Sequence, residues 1–302
     1  MNRPEKLASS SQAAILCAVC GGASAHVFDK DGYAISACGD CGHRETAAPR
    51  APGDHLRAVY GDSYFFGGGA GYDDYTAEAA LLRRRGRDYA RLVRRHAPYG
   101  RVLDIGAAAG YLLKGFEDEG WRGTGIEPNA RMCALGRDQL DLQMIEGDAE
   151  TLAGRDDLAG RFDLVTMIQV IGHFHDPRAA VAGAASALRP GGHLLVEYWD
   201  RESFVAELLG RYWHEYSPPS VLHWFARKDL DRLFAGAGLS FEDGGRPGKK
   251  LAAGHAKSLL RHKLGNGALA RLAMSPLALL ADDTVLPYPA VDLHWALYRK
   301  KA

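Results

Sequence analysis

From Arg101 onward, short apolar runs alternate with stretches whose apolar positions recur every three or four residues. The runs Arg101–Ile105, Gly123–Ile126, Gln143–Glu146, Phe162–Ile168 and His193–Tyr198 predict strands. Between them Tyr111–Glu119, Asn129–Gln139 and Pro177–Leu188 predict helices, and Pro190-Gly191-Gly192 marks a break before the fifth strand. A helix over Arg227–Ala237, a strand over Leu239–Glu242 and a final strand over Val291–Tyr298 complete the pattern. Such alternation implies an α/β fold: a Rossmann-like, mostly parallel sheet of seven strands covered on both faces. Ligands in these sheets bind beyond the carboxyl ends of the strands, where strand order reverses.

The pattern upstream is different. Thr76–His96 predicts a helix with Leu81, Leu82, Tyr89, Leu92 and Val93 on its apolar face and seven arginines, from Arg83 to Arg95, elsewhere. These arginines read as a solvated face, with a phosphate-binding stripe as the alternative. Tyr60–Tyr75 mixes glycines with Tyr64, Phe65, Phe66, Tyr72 and Tyr75. Five aromatics in a Gly-rich stretch either dock the N-terminal module onto the main domain or close over a ligand and exclude water.

The N-terminal module is defined by its cysteines. Cys17-x2-Cys20 and Cys38-x2-Cys41 have the paired spacing of a tetrathiolate zinc site, with a hairpin over Ala25–Ser36 turning at Asp31-Gly32. A segment of about 40 residues cannot fold on its own apolar burial, so a structural Zn2+ would supply its stability. Two disulfides or a redox pair are the other readings. Cys133, the fifth cysteine, reads as a small buried apolar residue, and His43 as a bystander. The expected organisation is a zinc ribbon over 14–48, an aromatic linker or lid over 49–75, and a main domain over 76–302 with an insert at about 200–226.

Composition narrows the partners. The 302 residues carry 37 basic and 37 acidic side chains, so nothing argues for a nucleic-acid-coated surface. No apolar run approaches the ~20 residues of a membrane span, and Ala13–Val19 does not read as a signal peptide, which implies a cytoplasmic protein. A homo-oligomer is allowed.

The chemistry concentrates at the strand ends. The first turn reads Leu103-Asp-Ile-Gly-Ala-Ala-Ala-Gly110. A dinucleotide fold wants a second glycine for the pyrophosphate, but that position is Ala108. Asp104 just ahead of the turn suits a cation better than a phosphate. Glu127 ends the second strand, placed for ribose hydroxyls, and Asp148 follows the third, placed for an adenine amino group. A ligand with an adenosine, a positive charge and no phosphates meets all three requirements, and S-adenosylmethionine is such a ligand.

The stretches VLDIGAAAGYLL, GTGIEPN, EGDAE, FDLVTMIQVIGHFHDP and LRPGGHLLVEYW, in this order, resemble the class I S-adenosylmethionine-dependent methyltransferases over about Tyr99 to Leu239. The chain further resembles the bacterial subset with an N-terminal zinc ribbon, an aromatic linker and a WHEYSPPSVLHWF-type segment. The resemblance implies that Asp104, Gly106, Ala107 and Gly110 surround the methionine part. Glu127 and Pro128 would then hold the ribose, Asp148 and Ala149 the adenine, with Gln169 nearby. Ala107 and Ala108 replace a common Cys-Gly, and Gln169 and Gly172 replace common glutamates.

Methyl transfer is an in-line displacement that needs alignment, dryness and, for an acceptor that loses a proton, a base. His173 and His175 follow the fourth strand; His214, Tyr216 and His223 lie in the insert, whose Trp213, Tyr216, Trp224 and Phe225 would form an acceptor wall. His223 and His214 are the leading base candidates. Lys249, Lys250, Lys257, Arg261, Lys263 and Arg271 form a basic stretch for a phosphorylated acceptor, an acidic carrier or RNA, or simply a solvated helix. The leading expectation is methyl transfer to a small molecule such as a sugar, polyketide or carrier-bound group. The rivals are an RNA methyltransferase using the ribbon, a nicotinamide-dependent oxidoreductase and a non-catalytic S-adenosylmethionine-binding module. The ribbon's single Lys/Arg charge between Cys17 and Cys41, Lys30, weighs against RNA.

Overall fold

A computed structural model describes residues 15–48, 50–67, 72, 74–248, 250–254, 257, 279–281, 284–287 and 291–301. The chain begins with four short antiparallel strands, β1 (Ile15–Leu16), β2 (Ala23–Lys30), β3 (Tyr33–Cys38) and β4 (Arg44–Glu45). β2 and β3 turn at Asp31 and Gly32, both at positive φ (50° and 84°), which matches the strand twist of a two-residue hairpin. Two short helices, α1 (Pro52–Val59) and α2 (Asp62–Phe66), lead through a 3-10 turn at Tyr75–Glu78 into α3 (Ala79–Val93). Thr76–His96 was expected to be one helix; Asp74 instead caps the 3-10 turn by accepting from the Thr76 N–H.

The main domain follows the predicted alternation. It comprises β5 (Arg101–Ile105), α4 (Tyr111–Asp118), β6 (Arg122–Glu127), α5 (Ala130–Leu140), β7 (Gln143–Glu146), β8 (Phe162–Ile168), α6 (Pro177–Ala187) and β9 (Leu188–Trp199). After the insert, with α7 (Phe204–Leu209) and β10 (His223–Trp224), come α8 (Arg227–Gly236) and β11 (Leu239–Gly245). A small pair, β12 (Lys250–Ala252) and β13 (Val285–Pro287), precedes β14 (Leu293–Lys300). The seven-stranded sheet has the order β11-β14-β9-β8-β5-β6-β7, and β14 alone runs against its neighbours. β5 therefore sits at the reversal of strand order, flanked by β8 and β6. The expected break at Pro190-Gly191-Gly192 is a bulge within β9: Phe162 pairs with Leu188 and Leu164 with His193.

Both faces of the sheet are buried. Leu103, Ile105, Val165, Met167 and Val196 pack with α6 and α8, while Val102, Leu164, Leu195 and Leu297 pack with Tyr89, Val93, Phe116 and Cys133 of α3, α4 and α5. The arginines of α3 divide: Arg83 and Arg87 pair with Asp118 and Arg91 with Glu119, tying α3 to the end of α4. Arg85 points inward to Glu197, which also accepts from the Tyr89 hydroxyl.

The N-terminal sheet is completed from far along the chain. β10 pairs with β4, His223 opposite Glu45 and Trp224 opposite Arg44. Around this joint Ile35, Trp213, Tyr216, Val221 and Trp224 form a cluster with Phe28. So the insert, not the aromatic segment, docks the N-terminal sheet. Phe65 and Tyr75, with Tyr64, Phe66 and Tyr72, instead pack on Ala108, Ala109, Tyr111 and Met132 over the glycine-rich turn. Of the basic stretch, Lys249, Arg261, Lys263 and Arg271 lie outside the described residues; Lys257 donates to the Leu280 carbonyl at 2.7 Å. Among the described residues no helix is long and apolar enough to cross a membrane.

Candidate active site

Asp104 is the penultimate residue of β5, next to the strand-order reversal, and is 3% exposed. Its Oδ1 accepts from the Thr166 hydroxyl at 2.6 Å. The turn that follows needs left-handed backbone at Gly106 (φ 72°) and Ala108 (φ 48°) before Gly110 (φ 81°) opens α4. A Cβ at Gly106 would stand 2.7 Å from Val170 Cγ1, so only glycine fits between this turn and the loop after β8. Ala108 keeps the shape that the common glycine gives, at the cost of a conformation L-residues rarely adopt.

Glu127, at the end of β6, accepts from the Ala108 N–H with Oε2 and from the Asn129 N–H with Oε1, both at 2.9 Å. Asp148 follows β7 and accepts from the Thr151 N–H at 2.9 Å. Burial pushes Asp104 up to about 7, the Glu127 charge adding to it and the Thr166 bond opposing it. Burial likewise pushes Glu127 up to about 7 against its two backbone donors. Among the described residues no cation pairs with either carboxylate.

These groups open into a cavity of about 840 Å3. Asp104, Gly106, Ala107, Glu127, Pro128, Asp148, Ala149 and Gln169 all line it; Gly110 does not, and sits behind the turn against Leu142. Gln169 adopts φ 57°, and its buried Nε2 has no hydrogen-bond partner among the described residues. The same cavity is bordered by His173, His175, His214 and Tyr216, and by the aromatic segment through Tyr60, Tyr64, Phe65, Tyr72 and Tyr75.

The candidate bases differ in their surroundings. His173 Nδ1 lies 2.7 Å from the Ser220 carbonyl and 2.8 Å from the Tyr60 hydroxyl, and burial lowers its pKa. His175 is exposed. His214 Nδ1 faces the buried Asp292 carboxylate at 3.6 Å, and that carboxylate also accepts from Trp213 Nε1 at 2.8 Å. The Tyr216 hydroxyl accepts from Arg44. His223 does not border the cavity. It packs 3.2 Å from His43, beside Glu45, and burial together with the His43 ring holds it down to about 3. His43 is no bystander: it is fully buried between His223 and the Asp229 carboxylate, which Arg201 also holds.

Residues missed by sequence reasoning border the cavity too: His55, Tyr60, and Arg85 tied to Glu197. A helical arginine among seven gives no sign that it alone turns inward. The alternating strand pattern places Glu197 on a buried face, and that conflict was the available clue.

At the N-terminus the four predicted cysteines converge, all reduced, with Sγ–Sγ separations of 3.4–3.6 Å along three edges. A tetrahedron of thiolates about 2.3 Å from Zn2+ has edges only slightly longer. The Val19 and Gly22 N–H groups point at Cys17 and Cys20 sulfurs, at 3.3 and 3.4 Å, as they would to stabilise thiolates.

A protein-family model described as a methyltransferase domain matches residues 77–243, more than half of the chain. The chain belongs to this methyltransferase family. Its sheet order and strand-end carboxylates are those expected of the class I S-adenosylmethionine-dependent methyltransferase fold. The chain is 30% identical over 148 residues to a ubiquinone biosynthesis O-methyltransferase of Alkalilimnicola ehrlichii, covering 42% of this chain and 59% of that one. It is 37% identical over 109 residues to the like-named protein of Idiomarina loihiensis, covering 33% and 43%. The match thus spans less than two thirds of these relatives' length. The fold is similar to a Burkholderia thailandensis 1,6-didemethyltoxoflavin-N1-methyltransferase solved with its substrate and S-adenosylhomocysteine, with TM-score 0.51, 17% identity, and 92% and 99% of the two chains covered.

Proposed function

We propose that the chain methylates a small-molecule acceptor, a sugar, polyketide or carrier-bound group, held in the same cavity as its cofactor. The observation that carries this is one cavity of about 840 Å3 bounded both by the strand-end carboxylates and by the histidine and aromatic wall. That volume suits a small-molecule site. Its only lysine or arginine borders among the described residues are Lys30 and Arg85, and Arg85 is tied to Glu197, which favours a small molecule over RNA.

Asp104 and Glu127 are buried carboxyls without a described counter-charge, and a cationic ligand would supply one. S-adenosylmethionine fits: its sulfonium makes the methyl group electrophilic. Asp104, Gly106 and Ala107 would hold the methionine part, Glu127 and Pro128 the ribose, Asp148 and Ala149 the adenine, with Gln169 beside them and Gly110 supporting the turn. On the acceptor side His214 would take the proton, with Asp292 3.6 Å from its Nδ1 orienting the ring. Tyr60 and Tyr216 shape the wall, and His173 serves to fix Tyr60. Cys17, Cys20, Cys38 and Cys41 would hold a structural Zn2+ that closes the N-terminal sheet.

Calorimetry with S-adenosylmethionine, S-adenosylhomocysteine and NAD tests the cofactor: the first two bind and NAD does not. Methyl-labelled cofactor offered with low-molecular-weight acceptor libraries and, separately, with total RNA tests the acceptor. Label appearing in the small-molecule fraction supports the reading, whereas label confined to RNA sinks it.

A further inference from the structure

His43, Glu45 and His223 meet where β4 pairs with β10, and none of them lines the cavity. They are 0%, 3% and 5% exposed. His43 Nε2 faces His223 Nδ1 at 3.2 Å, and Glu45 Oε2 lies 3.8 Å from the same His223 nitrogen. One ligand atom from each falls within 4.8 Å of the other two. Two imidazole nitrogens about 2.0–2.1 Å from one tetrahedral ion stand roughly 3.3 Å apart, so this spacing suits a shared metal as well as a hydrogen bond.

The surroundings favour the metal. His43 Nδ1 sits 3.5 Å from Asp229 Oδ2, and His43 Nδ1 and Asp229 Oδ1 are both buried without a hydrogen-bond partner among the described residues. Asp229 is held by Arg201 at 3.1 Å and by the Ala226 N–H at 2.8 Å. A proton on His43 Nδ1 answers this carboxylate and leaves the Nε2 lone pair facing His223. A carboxylate behind an imidazole in this way is the usual support of a metal-binding histidine. Glu45 brings a second acceptor. Its oxygens accept from the Ala18 N–H at 3.1 Å and the Ser24 hydroxyl at 2.8 Å, and among the described residues no lysine or arginine pairs with it. A proton shared by the two histidines would leave this buried charge uncompensated. A divalent cation among the three atoms satisfies both lone pairs and the charge.

We propose that His43 Nε2, His223 Nδ1 and Glu45 Oε2 bind a divalent transition-metal ion, separate from any held by the cysteines, that staples the N-terminal sheet to the insert. Two imidazoles and a carboxylate form a nitrogen–oxygen donor set suited to Zn2+. Their burial is that of a closed structural site: the ion enters as β10 closes on β4, and its binding energy becomes folding energy. The ligands come from residues 43–45 and from 223, so the ion cross-links a long stretch of chain.

The full chain, produced with zinc in the medium, is tested as wild type and as His223→Gln by metal analysis and zinc X-ray absorption. The wild type should show a mixed shell, with sulfur at about 2.3 Å and nitrogen or oxygen at about 2.0 Å. His223→Gln should lose one zinc per chain and the nitrogen–oxygen shell while keeping the sulfur. A wild-type shell of sulfur alone, or no bound zinc, overturns the proposal, and so does a nitrogen–oxygen shell that survives in His223→Gln. Should that variant not fold, wild type loaded with cadmium-113 decides. The ring 15N signals of His43 and His223 must then both be split by coupling to the metal, and unsplit signals overturn the proposal. A nitrogen–oxygen shell without sulfur would support this site and strike the cysteine one, which separates the two.

Discussion

Asp104 and Glu127 are carboxyls raised to about 7 by burial, and this sets a pH dependence with a definite sign. In the unfolded chain an aspartate titrates near 4, so the ligand-free fold binds more protons than the unfolded chain between about pH 4 and 7. The contribution to stability is present in full below that range and lost as pH rises through 7. Asp104→Asn removes the buried charge while keeping an acceptor for Thr166. The ligand-free variant should be more stable than wild type at pH 8, on the order of 1–3 kcal/mol, with the difference shrinking toward pH 5. Urea denaturation at the two pH values measures this. The same variant should bind S-adenosylmethionine at least tenfold more weakly, since the charge that costs stability is the one a cationic ligand neutralises. An unchanged affinity would remove Asp104 from the site. That Asp104, Glu127 and Asp148 gather at one end of the sheet was legible in the sequence because a strand end and a glycine turn are local features. His55, and the turning away of His223 toward His43, were not, because burial and contact across the chain are properties of the assembled fold.

Among the elements, the joint between β4 and β10 links the N-terminal sheet to the insert. The cysteine spacing and the Asp31-Gly32 hairpin announced that sheet, but a two-residue strand from the insert has no periodicity to reveal it. The same geometry selects between the two expectations for the Gly-rich segment: its aromatics cover the glycine-rich turn, and those of the insert clamp the hairpin. Metal removal should therefore act unevenly. With a chelator, amides of β2, β3 and the 212–224 segment should lose hydrogen-exchange protection, while β5, β6 and β8 keep theirs and S-adenosylhomocysteine affinity changes little. Metal analysis of His223→Gln, which keeps the cysteine cluster, should find one zinc per chain. Uniform loss of protection across both sheets would show that the metal supports the whole fold instead.

Over the whole molecule, 37 basic and 37 acidic side chains cancel. Three arginines of α3 pair with Asp118 and Glu119 at the surface and Arg85 turns in to Glu197, so four of the seven are engaged within the chain. Methyl transfer to a small acceptor should change less than twofold between 50 and 300 mM salt, whereas an RNA-directed enzyme would lose affinity steeply over that range. The mostly parallel seven-stranded sheet was readable because strand–helix alternation leaves few topologies, whereas the strand order and the antiparallel run of β14 have no signature in the hydrophobic pattern. The joint between the two sheets has a further consequence for synthesis. His43 and His223 touch across a separation of 180 residues. On a ribosome adding ~5–20 residues per second, the N-terminal hairpin waits roughly 9–36 s for the strand that completes it. During that interval β4 is an open edge, held by its pairing with β3 and by the cysteine cluster until the insert arrives.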